Sequence, residues 1–169
     1  MPPGTTIPCD RKPVHTGGCQ CGAVRYALYA EPLNPYLCHC RMCQKAVGNY
    51  FAAYALLRLS DLAWTRGKPA FWRSSEEAER GFCRECGTPL SFRYVARDQI
   101  SMALGTFDDL TRLKPRQAFG AEAYVPFLAD LARLPSSTTE GDFAQTSSPL
   151  PRSRQHPDHD TAQWPPVHP

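Results

Sequence analysis

Seven of the chain's eight cysteines fall into three tight groups, and this grouping limits the possible fold more than any other feature. The groups are Cys19-Gln20-Cys21, Cys38-His39-Cys40-Arg41-Met42-Cys43 and Cys83-Arg84-Glu85-Cys86. A zinc–thiolate bond is about 2.3 Å long in a tetrahedral site, so sulfurs that share an ion must lie close together. Cysteines one to three residues apart reach that separation within a single turn of chain. Gly87 follows its pair directly and suits the left-handed conformation that closes such a knuckle.

Two plainer readings compete with metal. Buried cysteines can act as small hydrophobes, but chance would not gather seven of them into three knuckles. Disulfides require an oxidising compartment. Met1 to Lys12 carries Pro and polar residues where a signal peptide has its apolar stretch. No segment approaches the ~20 apolar residues of a membrane span. The expected location is therefore cytoplasmic, where thiols stay reduced and clustered cysteines point to metal. The net charge is +3, with Lys and Arg scattered along the chain, which argues for neither a nucleic-acid partner nor a membrane surface.

Ligand counting divides the groups. A structural zinc takes four protein ligands, whereas a catalytic zinc takes three and keeps an exchangeable position. Two pairs make four, so Cys19, Cys21, Cys83 and Cys86 would close around one ion, joining strands distant in sequence. Cys38, Cys40 and Cys43 would hold a second ion from a single loop, with the fourth corner facing solvent or a ligand. The expectation is thus two Zn2+ per chain. In an alternative reading both sites are structural and His39, His15 or Cys9 completes the second. His39 sits between two of the cysteines and would point away from the ion they share.

Three regions differ in character. Residues 1–14 form a Pro-rich leader, 15–134 hold nearly all the aromatic, β-branched and Cys residues, and 135–169 turn to Ser, Thr, Pro, His and Asp. The last stretch has too little apolar surface to offset its ordering entropy and is expected to be a disordered tail. Alternating apolar residues predict strands over Ala23 to Tyr29, Tyr50 to Leu57, Ala70 to Arg73, Leu90 to Val95 and Ile100 to Leu104. Ser60 could cap a short helical turn, and no segment shows a long amphipathic helical period. The fold expected is mainly β.

The sequence Gly17-Gly18-Cys19-Gln20-Cys21-Gly22-Ala23-Val24-Arg25-Tyr26, the Cys38–Cys43 loop, and Gly81-Phe82-Cys83-Arg84-Glu85-Cys86-Gly87-Thr88-Pro89-Leu90 carry a family likeness. They resemble the glutathione-dependent formaldehyde-activating enzyme family, which also includes centromere protein V-like domains. Trp64-Thr65-Arg66-Gly67 and Gly105-Thr106-Phe107-Asp108-Asp109 extend the resemblance, which runs from about His15 to Leu134. It implies a β-tent fold of small antiparallel sheets around a structural zinc held by Cys19, Cys21, Cys83 and Cys86. It also implies a catalytic zinc on Cys38, Cys40 and Cys43.

The implied reaction is the reversible joining of a thiol and an aldehyde, as in S-(hydroxymethyl)glutathione synthesis. The chain would then be a zinc-dependent carbon–sulfur lyase or synthase. Its expected partners are a small-molecule thiol and an aldehyde, without nucleic acid or membrane, and with a homodimer allowed. The other function considered is a non-enzymatic zinc-scaffold binding module. Pro126 is followed by Phe127 where the family usually has Pro-Trp, and Gln117 to Phe127 matches loosely. The co-substrate is therefore expected to be glutathione or another thiol.

Arg25, Arg41, Lys45 and Arg84 lie near the clusters and could attract an anionic thiol such as glutathione, though such charges more often balance thiolate charge or sit solvated. Asp108 and Asp109 read as shaping a turn, Tyr50, Phe51, Tyr54 and Trp64 as core, and His156, His159 and His168 as solvated tail.

Overall fold

Short alternating segments interrupted by Gly and Pro cannot build long helices, and the computed structural model accordingly consists mostly of strands. It describes residues 11–146 and 148–165. Most of the expected leader, together with Cys9 and His168, lies outside the described residues.

A three-stranded antiparallel sheet contains β1 (His15–Gly18), β2 (Arg25–Leu28) and β5 (Leu62–Arg66), with β2 central. A seven-stranded sheet contains β3 (Asn34–Cys38), β4 (Ala52–Arg58), β6 (Ala70–Arg73), β7 (Ala78–Phe82), β8 (Pro89–Tyr94), β9 (Gln99–Ala103) and β10 (Gln117–Phe119). Its order is β10-β3-β4-β9-β8-β7-β6, antiparallel throughout except for β10, which runs parallel to β3 at the edge. The mainly β, antiparallel architecture is the one expected. Each predicted strand is present, with its ends within two residues of those expected.

The core forms where the two sheets meet. Tyr26 and Leu28 of β2 and Leu62 of β5 pack with Ala55 and Leu57 of β4, Ile100 and Met102 of β9, and Phe107. Strand β2 is buried along its whole length, so its alternation does not separate a wet face from a dry one. Arg25 is only 2% exposed because Asp108 accepts from both ends of its guanidinium at 2.6 and 2.8 Å and Asp160 accepts from Nε at 2.8 Å.

Four local features differ from the sequence expectation. Arg41–Val47 is a helix, α1, rather than part of a loop; it ends at Gly48 in the left-handed conformation (φ 64°). In the turn at Leu59–Asp61 the N-cap position is Arg58, without a side-chain capping bond, and Ser60 lies inside the turn. Beyond Pro135 the chain is mostly exposed and irregular, as expected of a segment without its own core. Within it lies a short helix, α2 (Thr139–Gln145), whose N-cap Thr138 accepts from the Gly141 amide. His156, expected in solvent, is 3% exposed against the body of the protein, whereas His159 is exposed. No helix among the described residues is long and apolar enough to cross a membrane.

Candidate functional site

The two cysteine sets foreseen from spacing each come together in space. The first joins the sheets. Cys19 and Cys21 lie in the β1–β2 connection, and Cys83 and Cys86 in the β7–β8 connection. Backbone bonds shape both knuckles: the Gly22 amide donates to the Cys19 carbonyl at 3.0 Å and the Gly87 amide to the Cys83 carbonyl at 2.9 Å. Gly87 has φ 76°, the left-handed conformation its position required. The Sγ atoms of Cys19 and Cys21 are 3.6 Å apart, and those of Cys21 and Cys83 are 3.9 Å apart. All four sulfurs lie within 4.8 Å of one another. A tetrahedron with zinc–sulfur bonds of about 2.3 Å has edges of about 3.8 Å, so this quartet fits a zinc ion.

The second set surrounds the start of α1. Cys38 ends β3, Cys40 is the N-cap residue of α1, and Cys43 lies one turn into the helix. Helical geometry therefore sets the last two corners, with Cys38 and Cys40 3.5 Å apart at Sγ. The three sulfurs satisfy the same spacing test, and among the described residues no fourth Cys, His, Asp or Glu joins them. His15 is occupied elsewhere, its Nε2 lying 2.9 Å from Glu31. His39 is 1% exposed, with its ring 4.2 Å from Tyr124 and 5.3 Å from Phe51.

Each set favours a thiolate at one member. The hydrogen bond from Cys38, with help from Arg80, brings Cys43 down to about 5 against burial, while Cys38 is driven well above its ordinary value by the same pairing. In the quartet, burial opposes ionisation of Cys86, but the Thr88 hydroxyl at 3.1 Å and nearby amides outweigh it and bring the thiol to about 6. Burial pushes Cys83 up to about 11.

The four cations named from the sequence do not surround the triad as a group. Arg25 is consumed by Asp108 and Asp160, Arg41 bonds Gln44 at 3.2 Å and is exposed, and Lys45 and Arg84 are exposed. The cation at the triad is Arg80 of β7, which sequence reasoning missed. Its Nη2 donates to Cys43 Sγ at 3.6 Å, and Nη1 donates to the Tyr54 hydroxyl at 3.2 Å. Its place in β7 carried at most a weak signal, since it shares the parity of buried Ala78 while Gly81 beside it is buried too. Asp109 caps a turn by accepting from Thr111, as expected. Asp108 serves as the counterion of Arg25, so neither aspartate is a free acid or base.

The loosely matching segment 117–127 lines the triad. The His39 amide donates to the Phe119 carbonyl at 2.8 Å, and Gln44 Nε2 donates to the Ala123 carbonyl at 2.9 Å. Gly120 lies so close to Cys40 that a Cβ there would run into the Cys40 backbone. Tyr54 is buried and Trp64 partly buried, as expected, whereas Tyr50 is 45% exposed and stands edge-on to Phe127 at 5.3 Å.

The tail packs against the quartet. The His156 amide donates to the Gln20 carbonyl at 2.7 Å, and its ring fills the space a Gly22 side chain would need. Trp164 Nε1 donates to the Cys21 carbonyl at 2.7 Å. Burial, and the guanidiniums of Arg25 and Arg66, hold the His156 imidazole below its ordinary value despite the Pro157 carbonyl. The undocked tail has an ordinary histidine near pH ~6.5. It therefore takes up the proton first as pH falls through that value, and docking is lost towards acid and complete above it. The Trp164 indole N–H resonance is expected to move towards its free position between about pH 7 and pH 5, and to lose this dependence in His156→Gln. A resonance constant over that range would count against this packing.

These features define a small mainly β protein with two cysteine centres, one of four sulfurs and one of three. The chain belongs to the glutathione-dependent formaldehyde-activating enzyme family, whose model matches residues 14–125. It is 33% identical over 85 residues to an uncharacterized lyase of Schizosaccharomyces pombe, covering 49% of this chain and 60% of that protein. The chain thus spans about 60% of the length of this curated relative. A crystal structure of a Rhodobacter sphaeroides protein is 26% identical, with a TM-score of 0.49, covering 61% of this chain and 98% of that one.

Proposed function

We propose that the chain is a zinc-dependent carbon–sulfur lyase or synthase acting on a thiol–aldehyde adduct, with glutathione or another small thiol as co-substrate. The observation that carries this reading is the triad: three sulfurs at zinc-site spacing, with no fourth protein donor among the described residues, beside a quartet that fills its own coordination. Family membership and the lyase named among its relatives support the reaction class.

Cys19, Cys21, Cys83 and Cys86 are read as structural ligands, and Cys38, Cys40 and Cys43 as ligands of the reactive site. A zinc ion in the triad supplies Lewis acidity and favours the thiolate form of an added thiol. The protein's own part is to hold the reactants. β3 and α1 fix the three sulfurs, and segment 117–127 forms a wall beside them. In the synthetic direction the thiol sulfur gives its electron pair to the carbonyl carbon, the C=O π pair moves to oxygen, and the thiol's proton ends on that oxygen. The reverse step breaks the same C–S bond, and no redox partner is needed.

A binding module with a purely structural second metal would need a fourth protein donor, which the described residues do not bring to the triad. Cysteines gathered at zinc-site spacing fit work in a reducing compartment such as the cytoplasm.

Metal analysis and zinc K-edge spectroscopy test the proposal. Two zinc ions per chain are expected, with the mean sulfur coordination rising towards four when glutathione is added. A single zinc, or a sulfur count indifferent to thiols, would overturn it.

A further inference from the structure

The geometry points to Arg80 as the counter-charge of the three-cysteine centre, a positioning residue that makes this centre hold its metal and accept a further thiolate. The inference rests on the proposal that the triad is a metal site. It begins from an imbalance in the protein. Arg80 is 9% exposed, on a strand whose neighbours β8 and β6 place Phe92 and Trp72 opposite it. Its guanidinium lies 5.0 Å from the centre of the Phe92 ring. Among the described residues no carboxylate pairs with it. The adjacent Glu79 accepts instead from Arg93 at 2.6 Å.

A buried guanidinium without a counterion is costly. Among the described residues its two polar partners are the Tyr54 hydroxyl and Cys43 Sγ, and the latter belongs to the cysteine triad. Charge counting closes the argument. A divalent ion with three thiolates carries a formal charge of −1, which Arg80 brings to zero. A fourth thiolate arriving at the centre then meets a neutral unit rather than an anion. The quartet is served differently: the Thr88 hydroxyl reaches Cys86, and the Val24 amide reaches Cys19 at 3.3 Å, both neutral donors. The two centres of one molecule therefore differ in their dependence on a cation, and each controls for the other.

The test uses the full chain loaded with Co2+, dialysed against increasing EDTA, with bound cobalt and the thiolate-to-cobalt charge-transfer band as readouts. The parent is expected to hold two equivalents. Arg80→Gln should keep the quartet ion but release the second at about ten- to a hundredfold lower chelator concentration, the usual loss when an outer partner of a metal ligand is removed. Arg80→Lys keeps the charge and should stay close to the parent, with a shifted charge-transfer band. Tyr54→Phe removes the neutral partner and should release cobalt as the parent does.

Equal retention by Arg80→Gln and the parent overturns the role of Arg80 alone. A parent with one equivalent overturns the two-metal reading, and this role with it. Should Arg80→Gln fail to fold, Arg80→Lys decides: two equivalents support the counter-charge, and one refutes it.

Discussion

Cys86→Ser is expected to abolish cooperative folding, so that circular dichroism shows no sigmoidal melt and the chain is recovered mostly insoluble. The reason lies in what the quartet connects. Cys19 and Cys21 belong to the three-stranded sheet, Cys83 and Cys86 to the seven-stranded one, and Cys83 is fully buried beneath Leu90 and Val24. A structural zinc contributes about 10–16 kcal/mol of binding free energy that appears only on folding. A domain of this size is stable by about 5–15 kcal/mol in total. A serine hydroxyl is a poor substitute for a soft thiolate on zinc, so losing this corner removes a term as large as the whole stability. Chelation of the parent should reproduce the effect. A soluble Cys86→Ser protein with a sharp melt near that of the parent would refute the structural assignment.

Cys40→Ser is expected to do the opposite: fold normally and lose turnover. Cys40 is partly exposed at the N-cap of α1 and makes no side-chain capping bond there. Serine is among the preferred N-cap residues, so the helix loses nothing. The reactive centre, however, drops from three sulfurs to two. Lewis-acid assistance is worth several kcal/mol, and each 1.4 kcal/mol is tenfold in rate, so turnover of a thiol–aldehyde adduct should fall by at least about a hundredfold. Adduct formation followed by NMR, beside a thermal melt, separates the two effects. Turnover within a few-fold of the parent would remove the triad from the mechanism. The contrast between the two substitutions is itself informative, since a single general loss of metal would make them alike.

The cysteine sets were legible because metal coordination acts over short stretches of chain. Knuckles such as Cys83–Cys86 must be built locally, and a left-handed glycine after them is required by the turn. The strands at Ala70 to Arg73 and Ile100 to Leu104 were legible for a similar reason, since alternation is a property of neighbours. Helix α1 was not, because seven residues span too few turns for a period and lie inside a cysteine motif that reads as a loop. The tail's composition argued for solvent, and most of it is exposed. It did not show that Arg25 would pair with Asp160 or that the ring of His156 would settle against Gly22.

The sequence by itself determined the three local cysteine groups, because spacing along the chain limits spacing in space, and ligand counting with the family resemblance divided them into four and three. It also determined the mainly β character of residues between them. Only the tertiary structure decided which charge faces which centre. Proximity in sequence favoured Arg84, inside the Cys83–Cys86 knuckle, over Arg80, four residues earlier. The place of β7 in the seven-stranded sheet, paired with β8, turns Arg80 inward onto Cys43 and the Tyr54 hydroxyl of β4, and leaves Arg84 in water. Charges act through distance, and distance between strands far apart in sequence exists only after they have packed.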